Sequence, residues 1–140
     1  MYRVTKNFYL EEFVPPEIMD QYGENAIQFI HPDIVVICQS LRDRFGKITI
    51  NDWCFGGDIK YRGFRPWDVH FNGVVQSPHK MGLAADLIFS SVSADVVRME
   101  IMEDWFYWYC LELRRVELGT SWLHIDLLDR RTRKVEFFEK

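Results

Sequence analysis

Ser77-Pro78-His79-Lys80-Met81-Gly82-Leu83-Ala84-Ala85-Asp86 sets a histidine and a carboxylate seven residues apart. On one α-helix that separation would put the two about 10 Å apart along the axis, whereas atoms bound to a single zinc ion lie about 2 Å from it. If the two share a metal, the chain must turn at Gly82 and return as a strand, and small Ala84 and Ala85 let that strand pack closely. The strand is expected over residues 83–89, bounded by Ser90-Ser91.

A partner for this pair comes from Trp122-Leu123-His124-Ile125-Asp126. Its alternation places His124 and Asp126 on one face of a strand and Leu123 and Ile125 on the other. One face would be buried while the other presents ligands. Two imidazoles and one carboxylate make a three-ligand zinc site with a fourth position open, the arrangement that catalysis uses. Each histidine taken singly also has a plainer reading, His79 as a solvated loop residue and His124 as a half-buried, hydrogen-bonded one.

Working outward, residues 7–13 read as a short strand or extended entry, and Pro15-Pro16 starts a brief helix towards Tyr22. Ile34, Val35, Cys38, Leu41 and Phe45 recur at helical spacing over 32–45, with Gly46 as the stop. Residues 47–51 alternate like a strand, 53–58 form a loop, and an irregular stretch runs from Tyr61 to Gly82. Ser93 caps a long helix predicted from Ala94 to about Leu113, with Val96, Val97, Ile101, Trp105, Trp108 and Leu111 as its apolar stripe. Strands follow over 115–118, 122–128 and 135–138. The order predicts an α+β fold, a mainly antiparallel sheet packed against helices, in a single domain spanning 1–140.

Of the 140 residues, 48% are hydrophobic, enough to close one core, and the formal charge is -4. The one dense basic cluster, Arg130, Arg131, Arg133 and Lys134, lies between Asp129 and Glu136 and reads as a charged turn between strands, so no nucleic-acid partner is expected. No apolar run is long enough to span a membrane, and no apolar segment with a cleavage site follows the opening MYRVTKNFYL, so neither a membrane partner nor a secretory signal is expected. Cys38, Cys54 and Cys110 are odd in number and lack C-x-x-C spacing, which argues against a disulfide framework; Cys38 and Cys110 are expected in the core and Cys54 in a loop.

The string S-x-H-x-x-G-x-A-x-D, here Ser77, His79, Gly82, Ala84 and Asp86, followed by W-x-H at Trp122 and His124, resembles the signature of the zinc D-Ala-D-Ala carboxypeptidases and dipeptidases. That group, which includes phage endolysin peptidases, shares its fold with the hedgehog signalling domain. Gly63-Phe64-Arg65-Pro66 resembles its G-[YF]-R segment, and Asn7-Phe8 with Glu12-Phe13 resembles the opening of its phage-type branch. The resemblance implies a hedgehog/DD-peptidase fold, Zn2+ held by His79, Asp86 and His124, and Arg65 steadying a developing oxyanion. A permanently charged guanidinium with a fork of donors suits that role.

The sequence departs from the family at the general base. Many active relatives carry an acid three residues before the last histidine, where this chain has Ser121, and a serine hydroxyl does not take a proton from water near neutral pH. Two acids stand nearby. Glu117, on the preceding strand, is the first candidate base; Asp126 shares the face of His124 and either catalyses or orients that ligand. His70 and Asp68 are candidate cleft residues, though surface positions are the simpler expectation for them; Trp53, Trp67 and Trp122 are considered as substrate walls, with Trp105 and Trp108 in the core. The implied activity is cleavage of a D-amino-acid-containing bond in a peptidoglycan stem peptide, by a phage lysin held in the cytoplasm until release or by a wall-remodelling enzyme. The alternative is an inactive zinc-binding wall-binding or virion-structural module of the same fold. The bond cleaved and the oligomeric state are not set by the sequence.

Overall fold

The structure is a computed structural model that describes residues 1–71 and 76–140. Its helices are α1 (Pro16–Tyr22), α2 (Pro32–Phe45), α3 (Ala94–Glu103) and α4 (Trp105–Cys110). Its strands are β1 (Ile48–Thr49), β2 (Ala84–Phe89), β3 (Arg115–Glu117), β4 (Leu123–Asp126) and β5 (Glu136–Phe138). The five strands form one sheet in the order β1-β2-β4-β3-β5, antiparallel except for the β3–β5 pair. The fold is α+β with a mostly antiparallel sheet. No described helix is long and apolar enough to cross a membrane.

The β2–β4 register is Ala84↔Asp126, Ala85↔Ile125, Asp86↔His124 and Leu87↔Leu123. Because side chains alternate, Ala85, Leu87, Leu123 and Ile125 share the inner face, and all four are fully buried. That face meets Ile34, Ile37, Cys38 and Leu41 of α2 and Val97 and Ile101 of α3 in one core. Pro32 and the His31 ring, which accepts from Asp33 N, start α2, and Ser93 Oγ accepts from Val96 N at 3.2 Å to start α3.

Several expected elements differ. Residues 7–13 form no strand: Tyr9 makes an isolated bridge with Arg3, and Leu10–Glu12 is a 3-10 turn closed by Glu12 Oε2 accepting from Tyr9 N. Between 47 and 51 only Ile48–Thr49 pair in the sheet. The single helix from Ala94 breaks at Asp104 (φ -117°, ψ 36°), which pairs with Arg44 at 3.2 Å. The aromatic run from Trp105 to Tyr109 cannot all face the core from one helix; after the break Trp108 is fully buried, while Trp105 is 38% exposed. Trp105 and the exposed Cys110 are therefore not core residues, and Val96 faces outward as well. Of the irregular stretch from Tyr61 to Gly82, residues 72–75 lie outside the described residues.

Gly82 makes the turn that the sequence requires. Its φ is +71°, and a Cβ there would lie 2.2 Å from the Phe29 carbonyl oxygen. Backbone blocks that space, and no side-chain rotation relieves it. Gly82→Ala is expected to lower unfolding stability by about 2 kcal/mol or more, measured by denaturant titration; a change within about 0.5 kcal/mol would contradict this account of the turn.

Candidate metal centre

Three elements deliver three side chains to one point. A 3-10 turn, Pro78–Met81, carries His79; Pro78 begins it and Ser77 Oγ accepts from His79 N at 3.2 Å. Asp86 on β2 and His124 on β4 are direct cross-strand partners. All three are buried, and one ligand atom from each lies within 4.8 Å of the others, so the group could hold a metal ion.

Hydrogen bonds behind the ligands decide which nitrogens face inward. His79 Nδ1 lies 2.8 Å from the Gly63 carbonyl oxygen; a carbonyl only accepts, so Nδ1 carries the proton. Gly63 can come this close because it has no Cβ, which would meet Phe13 O at 2.2 Å. On the other ring, His124 Nε2 lies 2.8 Å from Asp126 Oδ2. Arg115 grips Asp126 with Nε at 3.0 Å and Nη2 at 2.9 Å, and Leu128 N adds a third donor. Asp126 is thereby kept as an anion, and Nε2 donates to it.

The inward nitrogens are then His79 Nε2, 3.3 Å from Asp86 Oδ1, and His124 Nδ1, 2.8 Å from the same oxygen. With neutral rings, two lone pairs point at an anionic oxygen. Such a convergence requires positive charge between the groups, either an extra proton or a metal ion. A tetrahedral ion with bonds of about 2.0–2.1 Å sets its ligand atoms roughly 3.3 Å apart, which the His79–Asp86 pair matches and the His124–Asp86 pair, at 2.8 Å, falls short of.

Burial pushes the His79 imidazole down, against the pull of Asp86. Burial also works against protonation of His124, but its hydrogen bonds to Asp126 and Asp86 outweigh it and push the imidazole up to about 9. For Asp86, burial opposes ionisation, and the charge and hydrogen bonds of the two histidines overcome it, holding the carboxyl well below the usual carboxylate range. Without metal, then, a proton on His124 supplies the charge; a metal must displace it.

The group opens onto a cleft of about 290 Å³, lined by Arg65, Glu117 and Trp122 as well as the ligands. Arg65 is fixed by Nε donating to Tyr61 O at 2.8 Å and Nη2 to Asp86 Oδ2 at 3.2 Å, with its guanidinium 4.7 Å from the Phe71 ring centre. Glu117 sits on β3, one residue beyond the last β3–β4 pair, Val116↔Ile125, and lines the cleft together with His124. It is only 7% exposed, yet its carboxylate has no hydrogen-bond or ion-pair partner among the described residues. Its main chain is held by Arg98, which donates to Glu117 O at 2.9 Å, Thr120 O at 2.9 Å and Trp122 O at 2.8 Å.

The structure thus gathers His79, Asp86, His124, Arg65, Glu117 and Trp122. Asp126 stands behind His124, fully buried and away from the cleft wall. Ser121 borders a different hollow, with Leu87, Phe89 and Val92, so the position three before His124 does not face the ligands. His70, Asp68, Trp53 and Trp67 do not line the cleft: His70 meets Lys80 Nζ, Trp53 Nε1 donates to Val14 O, and Trp67 lies against Lys80. Sequence reasoning missed Arg115, Arg98 and the Gly63 carbonyl. Only Arg115 left a signal, standing on a strand opposite a paired acid.

Compared with protein-family models, with curated proteins and with solved structures, the chain matches none. The class that the fold and site define is an α+β domain with a buried His-Asp-His group able to hold a metal ion.

The shifted groups set a pH optimum for the metal-free protein. His124 is raised, so its contribution is fully present below the unfolded histidine value of 6.5 and is lost as pH climbs through about 9. His79 is lowered, so its contribution is present above 6.5 and fades as pH falls; that of Asp86 goes further into acid. Thermal melts in chelator should peak near pH 6.5 and decline towards 9.5, whereas saturating zinc should abolish the alkaline decline because the metal replaces the proton. Identical profiles with and without zinc would contradict the assignment.

Proposed function

We propose that this chain is a zinc metallopeptidase with a hedgehog/DD-peptidase fold, cleaving a D-amino-acid-containing bond of a peptidoglycan stem peptide. The observation that carries the reading is the convergence of two imidazole lone pairs on Asp86 at the floor of an open cleft, beside the unpartnered carboxylate of Glu117. The resemblance of Ser77, His79, Gly82, Ala84, Asp86, Trp122 and His124 to the carboxypeptidase and endolysin signature supplies the substrate class. An N2O donor set with borderline-soft imidazoles suits Zn2+.

Bound zinc supplies Lewis acidity, polarising a carbonyl and acidifying water. His79 and His124 hold it through nitrogens whose opposite faces are fixed by Gly63 O and Asp126. Glu117, with no hydrogen-bond or ion-pair partner among the described residues, accepts the proton of the attacking water and delivers it to the departing amine. Arg65 donates to the carbonyl oxygen as that oxygen gains charge. Asp126 orients His124 and does not exchange protons with substrate. The site of action would be the bacterial wall, reached by a phage lysin on release or by a wall-remodelling enzyme.

Metal analysis of the purified protein, paired with mass spectrometry of digested muropeptides, tests this reading. Glu117→Gln should keep one zinc per chain and lose about 10²–10⁴-fold in hydrolysis; His124→Ala should lose the zinc and the activity together. Tight zinc binding with no muropeptide cleaved would favour the inactive wall-binding or virion-structural module, the reading that Ser121 supports.

A further inference from the structure

A second hollow of about 340 Å³ adjoins the cleft, and the two share Arg65, Phe71, Asp86 and Trp122. They are two lobes of one groove with Asp86 and Arg65 at the junction, and His79 and His124 line the first lobe. Glu117 lines the first lobe only. A base that hands its proton to the leaving amine stands on the amine's side of the bond. The leaving group therefore belongs in the first lobe, and the residue that supplies the scissile carbonyl in the second.

The second lobe has walls of Ile59, Tyr61, Phe71 and Trp122, and is also lined by Arg62. Arg62 is locked beside the metal group through its backbone: its N donates to Asn51 Oδ1 at 2.9 Å and its O accepts from Asp86 N at 2.8 Å. The other cations that line the second lobe are engaged, Arg65 with Asp86 and Lys60 over the Tyr61 ring. The guanidinium of Arg62, on a half-buried residue, has no side-chain partner among the described residues. Asp58, at the same lobe, is solvent-exposed and screened. An unpaired guanidinium fork in a hollow with mostly apolar walls matches a carboxylate.

Building on the peptidase reading, we propose that the substrate residue on the acyl side of the scissile bond carries a free carboxylate, which Arg62 receives. Arg62 is then a specificity residue that sets which bond in an anionic peptide is presented to Glu117.

The test uses N-acetylated peptides that differ only in bearing glutamate or glutamine, of either configuration, before a D-alanine. The zinc-loaded protein should cleave the acid form with a KM at least about tenfold lower than the amide form. Arg62→Ala should bring the ratio to about one with zinc content unchanged, and Arg62→Lys should restore part of it. Equal cleavage of acid and amide by the wild type, or an unchanged ratio in Arg62→Ala, overturns the proposal. If the wild type cleaves neither, the muropeptide digest decides the peptidase reading, and calorimetric titration of the same two peptides decides the subsite alone. Acid binding at least about tenfold tighter than amide, lost in Arg62→Ala, sustains it; equal binding or none overturns it.

Discussion

The antiparallel pairing of β2 with β4 in one register is the constraint on which the site depends. With Asp86 opposite His124 and Ala84 opposite Asp126, two candidate metal ligands and the carboxylate bonded to one of them share the outer face. A slip of one residue would send Asp86 into the core and bring Leu87 out. The register is pinned from the apolar side, where Ala85, Leu87, Leu123 and Ile125 are fully buried against α2 and α3. Core packing and ligand geometry are thus two faces of one pairing, and neither can shift without the other.

Around that pairing the chain places its tightest approaches where the third ligand enters. Gly82 lets the strand leave the turn that bears His79, at a point where the backbone of Phe29 leaves no room for a Cβ. Gly63 lies equally close to Phe13, and its carbonyl fixes the His79 ring. The N-terminal segment, which contributes no ligand, therefore helps set the position of one by walling in Gly63. This is a structural reason for the conjunction of an opening segment, a Gly-Phe-Arg segment and a histidine turn along one chain.

Much of this was legible in the residues because local patterns carried it. The alternation around His124 and the Gly82 turn each follow from a rule acting over a few positions, and the sheet that they imply is present. What escaped was set by distant partners. The helix breaks at Asp104, whose partner Arg44 is sixty residues away, where the core accepts one aromatic ring of the run; helical periodicity alone put Trp105 and Cys110 inside. The parallel join of β5 to β3 carries no signature in either strand. Arg98 and Arg115 read as ordinary cations until the carbonyls and the carboxylate that they hold are seen together.

The charges across the site also explain how one carboxylate can serve both a metal and an arginine. Asp86 Oδ1 faces both histidine rings, while Oδ2 faces Arg65 Nη2 at 3.2 Å. As long as Arg65 holds Oδ2, the carboxylate offers a metal one oxygen and not two. The protein would then supply three ligand atoms rather than four, and a tetrahedral ion held there would have one position open. Arg65 thereby would limit how Asp86 binds a metal, and under the peptidase proposal it would also stand where charge on a substrate oxygen develops.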